Sequence, residues 1–268
     1  MFKKIFILFL NSCVPIYLMA QQSDSLTTRK SVQHINQSHA FFLCTKTANN
    51  KPCIKSFIIP ATLITYGFIG LGNNSIKKIN ISTKAELTED HPGFKTITDN
   101  YLQYSPAVAV YALNAFNIKG RNNFRDRTMI YAISTIISTS TVQALKTITK
   151  VERPDGSGSN SFPSGHTTTA FAAAEFLRTE YKGVSPFYGI AGYITATATG
   201  ILRLYNNKHW VNDIVTGAGF GILSTKLAYW IYPVIKKRLF KDKKMNTMVM
   251  PYYQPGSGGI SFVHNFQQ

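Results

Sequence analysis

The residues able to do chemistry fall in three short islands between Lys146 and Asp213. The first is Lys146 with Arg153-Pro154. The second is Pro163-Ser164-Gly165-His166. The third is Arg203 with His209 and Asp213. All three lie in an otherwise apolar, helix-like stretch. Charges in such surroundings are costly unless something neutralises them. Three fixed cations, Lys146, Arg153 and Arg203, with few acids nearby imply a bound anion. Two histidines beside them imply that the anion reacts.

His209 and Asp213 are four residues apart, so on a helix they share a face. Asp213 can then accept the Nδ1 proton of His209 and leave Nε2 as the nucleophile. His166 follows a helix start and is the candidate general acid. The amides of Ser164 and Gly165 at that start favour an anion. Gly165 has no side chain to keep an oxygen away, and the Ser164 hydroxyl is one more donor. An arginine fork suits phosphate bidentately and a lysine supplies a compact charge. The chemistry implied is phosphoryl transfer through a phosphohistidine, with cations stabilising the charge that spreads in the transition state. Those cations do what a divalent metal would do, so neither metal nor cofactor is expected.

Order and internal spacing of these islands resemble the phosphatidic acid phosphatase type 2 (PAP2) superfamily, which includes bacterial acid phosphatases and vanadium haloperoxidases. The resemblance covers about seventy residues. It implies an all-α helical bundle of about six helices, membrane-embedded, and assigns the same roles to the same residues: His209, His166 and Asp213 in catalysis, Lys146, Arg153, Ser164, Gly165 and Arg203 on the phosphate. Two departures stand out. Leu202 occupies a position where the family usually has serine, which removes one phosphate hydrogen bond. Only eight residues separate Pro154 from Pro163, too few for a large lid.

Around these motifs the chain reads as alternating apolar and basic segments. Residues 1–20 have the basic start and apolar run of an export signal, or of an uncleaved anchor. Residues 21–99 form an N-terminal region with one apolar segment, Ser56 to Ile76. The clustered Glu86, Glu89, Asp90 and His91 after it read as a solvated turn rather than a metal site. Residues 100–240 hold the phosphatase-like domain. Asn100 to Ile118 and Thr128 to Leu145 are uncharged, and the hydroxyls of the second run suit helix packing. Helices are expected from Ser164 to Tyr181, with Glu175 pairing Arg178, from Phe187 to Arg203, and from Asn212 to Ile235. A basic, then flexible tail occupies residues 241–268. Cys44 and Cys53 are the pair left by cleavage, either a disulfide in an exported chain or two unpaired thiols.

Lys+Arg 29 against Asp+Glu 12 gives the 268-residue chain a net charge of +17. That balance suits anionic partners. Basic residues scattered through loops, with no basic helix face and no zinc-ligand spacing, exclude a nucleic-acid module. The basic connector at Lys119 to Arg127 and the basic run after Ile235 put one end of the bundle in the cytoplasm by the positive-inside rule. The motifs then face the periplasm from the inner membrane. Parity requires that one of the three apolar segments before the motifs not cross, with Ser56 to Ile76 the segment expected to fail, or else that the signal stay uncleaved. A mean hydropathy of -0.04 keeps a soluble periplasmic acid phosphatase open. The expected partners are the membrane and a phosphorylated lipid: lipid A phosphate or undecaprenyl diphosphate, with phosphatidate behind. A non-catalytic binder of anionic lipid is the alternative outside enzymes.

Overall fold

The computed structural model describes residues 54–239, 247–254 and 257–264. The expected export signal and the Cys44–Cys53 disulfide lie outside them. After a 3-10 turn at Ile54–Phe57 come eight α-helices: α1 (Ile58–Gly72), α2 (Asn74–Asp90), α3 (Thr98–Leu102), α4 (Ser105–Ala115), α5 (Phe124–Thr149), α6 (Gly165–Tyr181), α7 (Pro186–Tyr205) and α8 (Val211–Leu239). Strands β1 (Thr247–Gln254) and β2 (Ser257–His264) pair antiparallel, Thr247 opposite His264 and Gln254 opposite Ser257. The tail was expected to be flexible. Its β-branched and aromatic residues, Val249, Tyr252, Tyr253, Ile260 and Phe262, suit a pleated hairpin instead.

The helical expectation holds, with two additions to the six helices. α2 is a polar helix where a solvated stretch was expected. It starts because the Asn73 side chain accepts hydrogen bonds from the amides of Ser75 and Ile76 at 2.9 and 3.2 Å, satisfying two orphan donors. α3 is a single short turn before α4.

α6 is the central helix. Ala170, Ala172, Ala173, Ala174, Phe176, Leu177 and Tyr181 are all buried along it, and α7 and α8 pack on either side. Its small residues let those neighbours come close. Glu175 is buried as well, held by Arg178 at 2.6 Å and Lys226 at 2.9 Å. The expected Glu175–Arg178 pair thus forms, and it faces protein rather than lipid.

α8 runs against α6 and α1 through glycines. A Cβ on Gly217 would lie 2.7 Å from the Ser164 carbonyl oxygen, and one on Gly219 would lie 2.9 Å from the Pro60 carbonyl oxygen. Hydroxyls bridge the helices too: Ser134 meets Thr225 at 2.8 Å, and Thr225 donates to the Ala172 carbonyl at 3.0 Å. Of the α5 hydroxyls expected to pack, Ser134 and Ser138 are buried. Thr135 instead turns back to its own helix at the Tyr131 carbonyl. At the end of the bundle away from the motifs, Asp126 accepts from Tyr232 and Lys236, both at 2.6 Å. Glu180 there accepts from Asn122 at 2.6 Å and from Tyr229.

By length and composition, the stretch Lys55–Gly72 that holds α1 and the helix α8 could each cross a membrane. α1 lies in the Ser56 to Ile76 run that was expected not to cross. The Asn100 to Ile118 run yields the 11-residue α4, about 16 Å long at 1.5 Å per residue. That is half of a ~30 Å hydrocarbon core.

Candidate functional site

The three motifs converge where α5 ends and α6 and α8 begin. Lys150 closes α5 in the left-handed conformation, with φ 47°, and turns the chain into the loop to Pro163. Lys146, in the last turn of α5, donates to the Asn160 carbonyl at 2.7 Å. The loop is held by backbone bonds from Arg153 to Gly158 and from Ser161 to Val151, both at 2.9 Å. Lys208 pairs with Asp155 across it at 2.5 Å. Burial opposes ionisation of Asp155, but hydrogen bonds from Lys208 and Ser157 outweigh it and bring the carboxyl down to about 2.

Ser164 caps α6. Its hydroxyl oxygen accepts from Thr167 Oγ1 at 2.9 Å and from the Thr167 amide at 3.5 Å, so its own proton remains available as a donor. Its amide donates to the Asp213 carbonyl at 3.1 Å, tying the start of α6 to the start of α8. The protein packing does not demand a glycine at 165, where a Cβ would meet nothing nearer than Val142 at 3.8 Å.

The histidines are held differently from the expectation. His209 Nδ1 lies 2.8 Å from the backbone carbonyl of Ser161. A carbonyl only accepts, so Nδ1 carries the proton and Nε2 is left as a lone pair. The nearer Asp213 oxygen is 3.6 Å from Nδ1. That carboxylate accepts instead from the Ser161 hydroxyl at 2.5 Å and the Trp210 amide at 2.9 Å. The unprotonated Nε2 expected from an Asp213 contact is therefore delivered by the backbone, with the charge of Asp213 behind the ring. Burial keeps the His209 imidazole below its ordinary pKa, against the pull of Asp213.

His166 presents Nε2 to the Asn100 side-chain oxygen at 2.8 Å. Burial and then the charge of Arg203 push its pKa down to about 4. Arg203 pairs with fully buried Asp99 at 2.6 Å. Arg153 Nε and Arg203 Nε are buried donors with no hydrogen-bond partner among the described residues, the arrangement of cations that face a ligand. The charges act on one another: Arg203, His209 and Lys146 on His166, and Arg153, Asp213 and Arg203 on Lys146. Lys146, Arg153, His166, Arg203, His209 and Asp213 thus lie within electrostatic reach of one another, and Ser164 and Gly165 adjoin them at the start of α6.

Ser161, Asp99 and Asn100 were missed. Ser161 acts through a backbone carbonyl, which no side-chain pattern reports. Asp99 and Asn100 come from α3, some 45 residues before the first motif, and have no fixed spacing to it. The available signal was weak: one acid just before an uncharged run.

Residues 127–237 match the model of the PAP2 superfamily. Over these residues, under half of the chain, the sequence is similar to the PAP2 superfamily. The matched region takes in all eight candidate residues, and Asp99 and Asn100 precede it. The lipid A 1-phosphatase of Porphyromonas gingivalis is 41% identical over 143 residues, covering 53% of this chain and 32% of that protein. The bacitracin transport permease protein BcrC of Bacillus licheniformis is 30% identical over 95 residues, covering 34% of this chain and 45% of that protein. The chain thus spans less than half the length of either relative. The crystal structure of Aquifex aeolicus LpxE, at 20% identity and a TM-score of 0.44, covers 56% of this chain and 94% of its own.

Proposed function

We propose that this protein is a metal-independent phosphatase of membrane lipids. It hydrolyses a lipid A phosphate or undecaprenyl diphosphate through a phosphohistidine at His209. The observation that carries the reading is the His209–Ser161 hydrogen bond, which leaves Nε2 unprotonated in a site where Arg203 acts on the ring and where Arg153 and Arg203 have buried Nε–H groups without a partner among the described residues.

Lys146, Arg153, Arg203 and the Ser164 hydroxyl hold the phosphoryl oxygens. His209 Nε2 attacks phosphorus, and the bond to the leaving oxygen breaks as that oxygen takes a proton from protonated His166. The His209 ring becomes cationic, stabilised by the Asp213 carboxylate 3.6 Å away. In the second half His166 takes a proton from water as that water attacks phosphorus, and His209 leaves with its lone pair restored. Because His166 is held near pKa 4 in the free site, the arriving phosphate dianion must raise it before it can act as an acid.

An apolar exposed surface supports the membrane setting. Ile58, Ile59, Phe68 and Ile69 on α1 are exposed, as are Phe187, Ile190 and Ile194 on α7. So much large apolar surface on one bundle marks a membrane contact. Lys236, Lys237 and Arg238 lie at the end of α8 opposite the site, which fits a cytoplasmic end and a periplasmic site in the inner membrane. The relative named a lipid A 1-phosphatase favours lipid A among the lipids.

The test is phosphate release by purified protein in detergent, with lipid A, undecaprenyl diphosphate, phosphatidate and an aryl phosphate as substrates. Release from a lipid that disappears in His209→Ala is the expected result. Substantial activity in that variant, or better use of the aryl ester than of every lipid, would overturn the reading.

A further inference from the structure

A cavity of about 930 Å³ opens beside Arg203, at the upper end of the ~300–1,000 Å³ usual for small-molecule sites. It is formed by the end of α2, the loop into α3, and the end of α7. We propose that this cavity is a glycosyl subsite that receives the sugar bearing the scissile phosphate. The inference rests on the phosphatase reading above and names the leaving group.

Position is the first argument. Arg203 and Asn100 both line the cavity, and Asn100 is the residue on His166 Nε2. Neither His166 nor His209 is itself in the lining; Asn100 is what joins the cavity to His166. In an in-line displacement the leaving group departs opposite the nucleophile. A cavity on the general acid's side of the phosphate is therefore where the departing alcohol sits.

The lining decides which alcohol. Tyr205 forms a wall with His91 and Phe94 packed against it, ring centroids 5.3 and 5.4 Å away. Such a wall suits the C–H face of a pyranose. Amide and hydroxyl groups, Asn100, Asn207 and Thr88, surround it and suit sugar hydroxyls. The charges largely cancel. Asp99 neutralises Arg203 and Asp155 neutralises Lys208, which leaves Lys95 as the one lining cation without an ion-pair partner among the described residues. A second phosphate would need more positive charge than this, and an acyl chain would need fewer polar groups. The wall is also fixed in place: the Asn206 side chain accepts from the Thr96 amide at 2.8 Å and donates to the Thr96 carbonyl at 2.9 Å. That clamp holds the α3 loop on the end of α7.

The experiment compares Tyr205→Ala and Phe94→Ala with the parent, as full-length protein in detergent. The value of kcat/KM on lipid A should fall about tenfold, the scale of one lost aromatic contact, while that on phosphatidate stays within about twofold. An unchanged rate on lipid A, or an equal fall on both lipids, would overturn the proposal. A second readout does not depend on turnover. On the His209→Ala background, saturation-transfer NMR should reach the ring protons of glucosamine 1-phosphate, fade with Tyr205→Ala, and be far weaker on glycerol 3-phosphate. A ring signal that is absent, or that survives Tyr205→Ala, overturns the subsite even if the enzyme turns over no lipid at all. Failure of turnover alone, with this signal present, strikes the catalytic reading and not the cavity.

Discussion

His209 gives its Nδ1 proton to the backbone carbonyl of Ser161 at 2.8 Å, while the Asp213 carboxylate stands 3.6 Å from the same nitrogen. The tautomer and the charge behind the ring thus come from different groups. Asp213→Asn should keep the tautomer, because the carbonyl remains, and lose the stabilisation of the cationic ring. We expect kcat to fall about 10²-fold, or ~2.7 kcal/mol in the barrier, with activity still measurable above His209→Ala. Single-turnover rates for the two variants decide it. If Asp213→Asn is as inactive as His209→Ala, the carboxylate controls the tautomer after all.

The same pair shows how far sequence could reach. Spacing four apart placed Asp213 beside His209, but His209 precedes α8, which starts at Val211; Asp213 comes near it by turning back to the Trp210 amide. Spacing could not show that the turn before α8 swings the ring toward Ser161, since that depends on where an unrelated loop places a carbonyl. Glu175 with Arg178 was legible because both lie on one helix. Asp99 with Arg203 was not, since 104 residues separate them and only the fold brings α3 over the end of α7. The Asn100 to Ile118 run is helical, as α4, but Pro106 near the start of that helix and the turn before it divide the run into two short pieces.

Arg153→Lys should lose much of the rate even though the charge is kept. The Arg153 Nε is a buried donor without a partner among the described residues, and a lysine cannot reproduce a planar fork on two phosphoryl oxygens. A fall of about tenfold or more in kcat/KM, or ~1.4 kcal/mol, is expected, with no change in melting temperature. Near-normal kinetics would place Arg153 off the phosphate. EDTA should leave the parent rate unchanged, and activity lost to EDTA and restored by a divalent cation would remove the metal-free mechanism.

The depressed pKa of His166 makes anion binding pH-dependent. In the free site burial and the charges of Arg203, His209 and Lys146 hold it near 4 against the pull of Asp99. A bound dianion favours the imidazolium and raises that value. Protonation and anion binding therefore help each other. Sulfate, which does not itself titrate in this range, should bind more tightly as pH falls from 7 to 5, with net proton uptake. Calorimetry in two buffers of different ionisation enthalpy measures that uptake directly. A sulfate affinity that is flat across this range would mean His166 does not face the anion.

Asp99 holds Arg203 and also competes with the substrate for it. Both side chains are almost fully buried, at 1% and 9% exposed. Removing one partner of such a pair leaves an uncompensated charge and costs about 3–5 kcal/mol. Asp99→Asn is gentler, since the amide oxygen can still accept from Arg203, but the local potential becomes more positive. The melting temperature should fall while the inhibition constant for vanadate, a phosphate mimic, becomes smaller. The two shifts run in opposite directions only if Arg203 keeps its place and gains freedom to bind the anion. A variant that loses stability and vanadate affinity together would show that Asp99 positions Arg203 and that its charge does not limit binding.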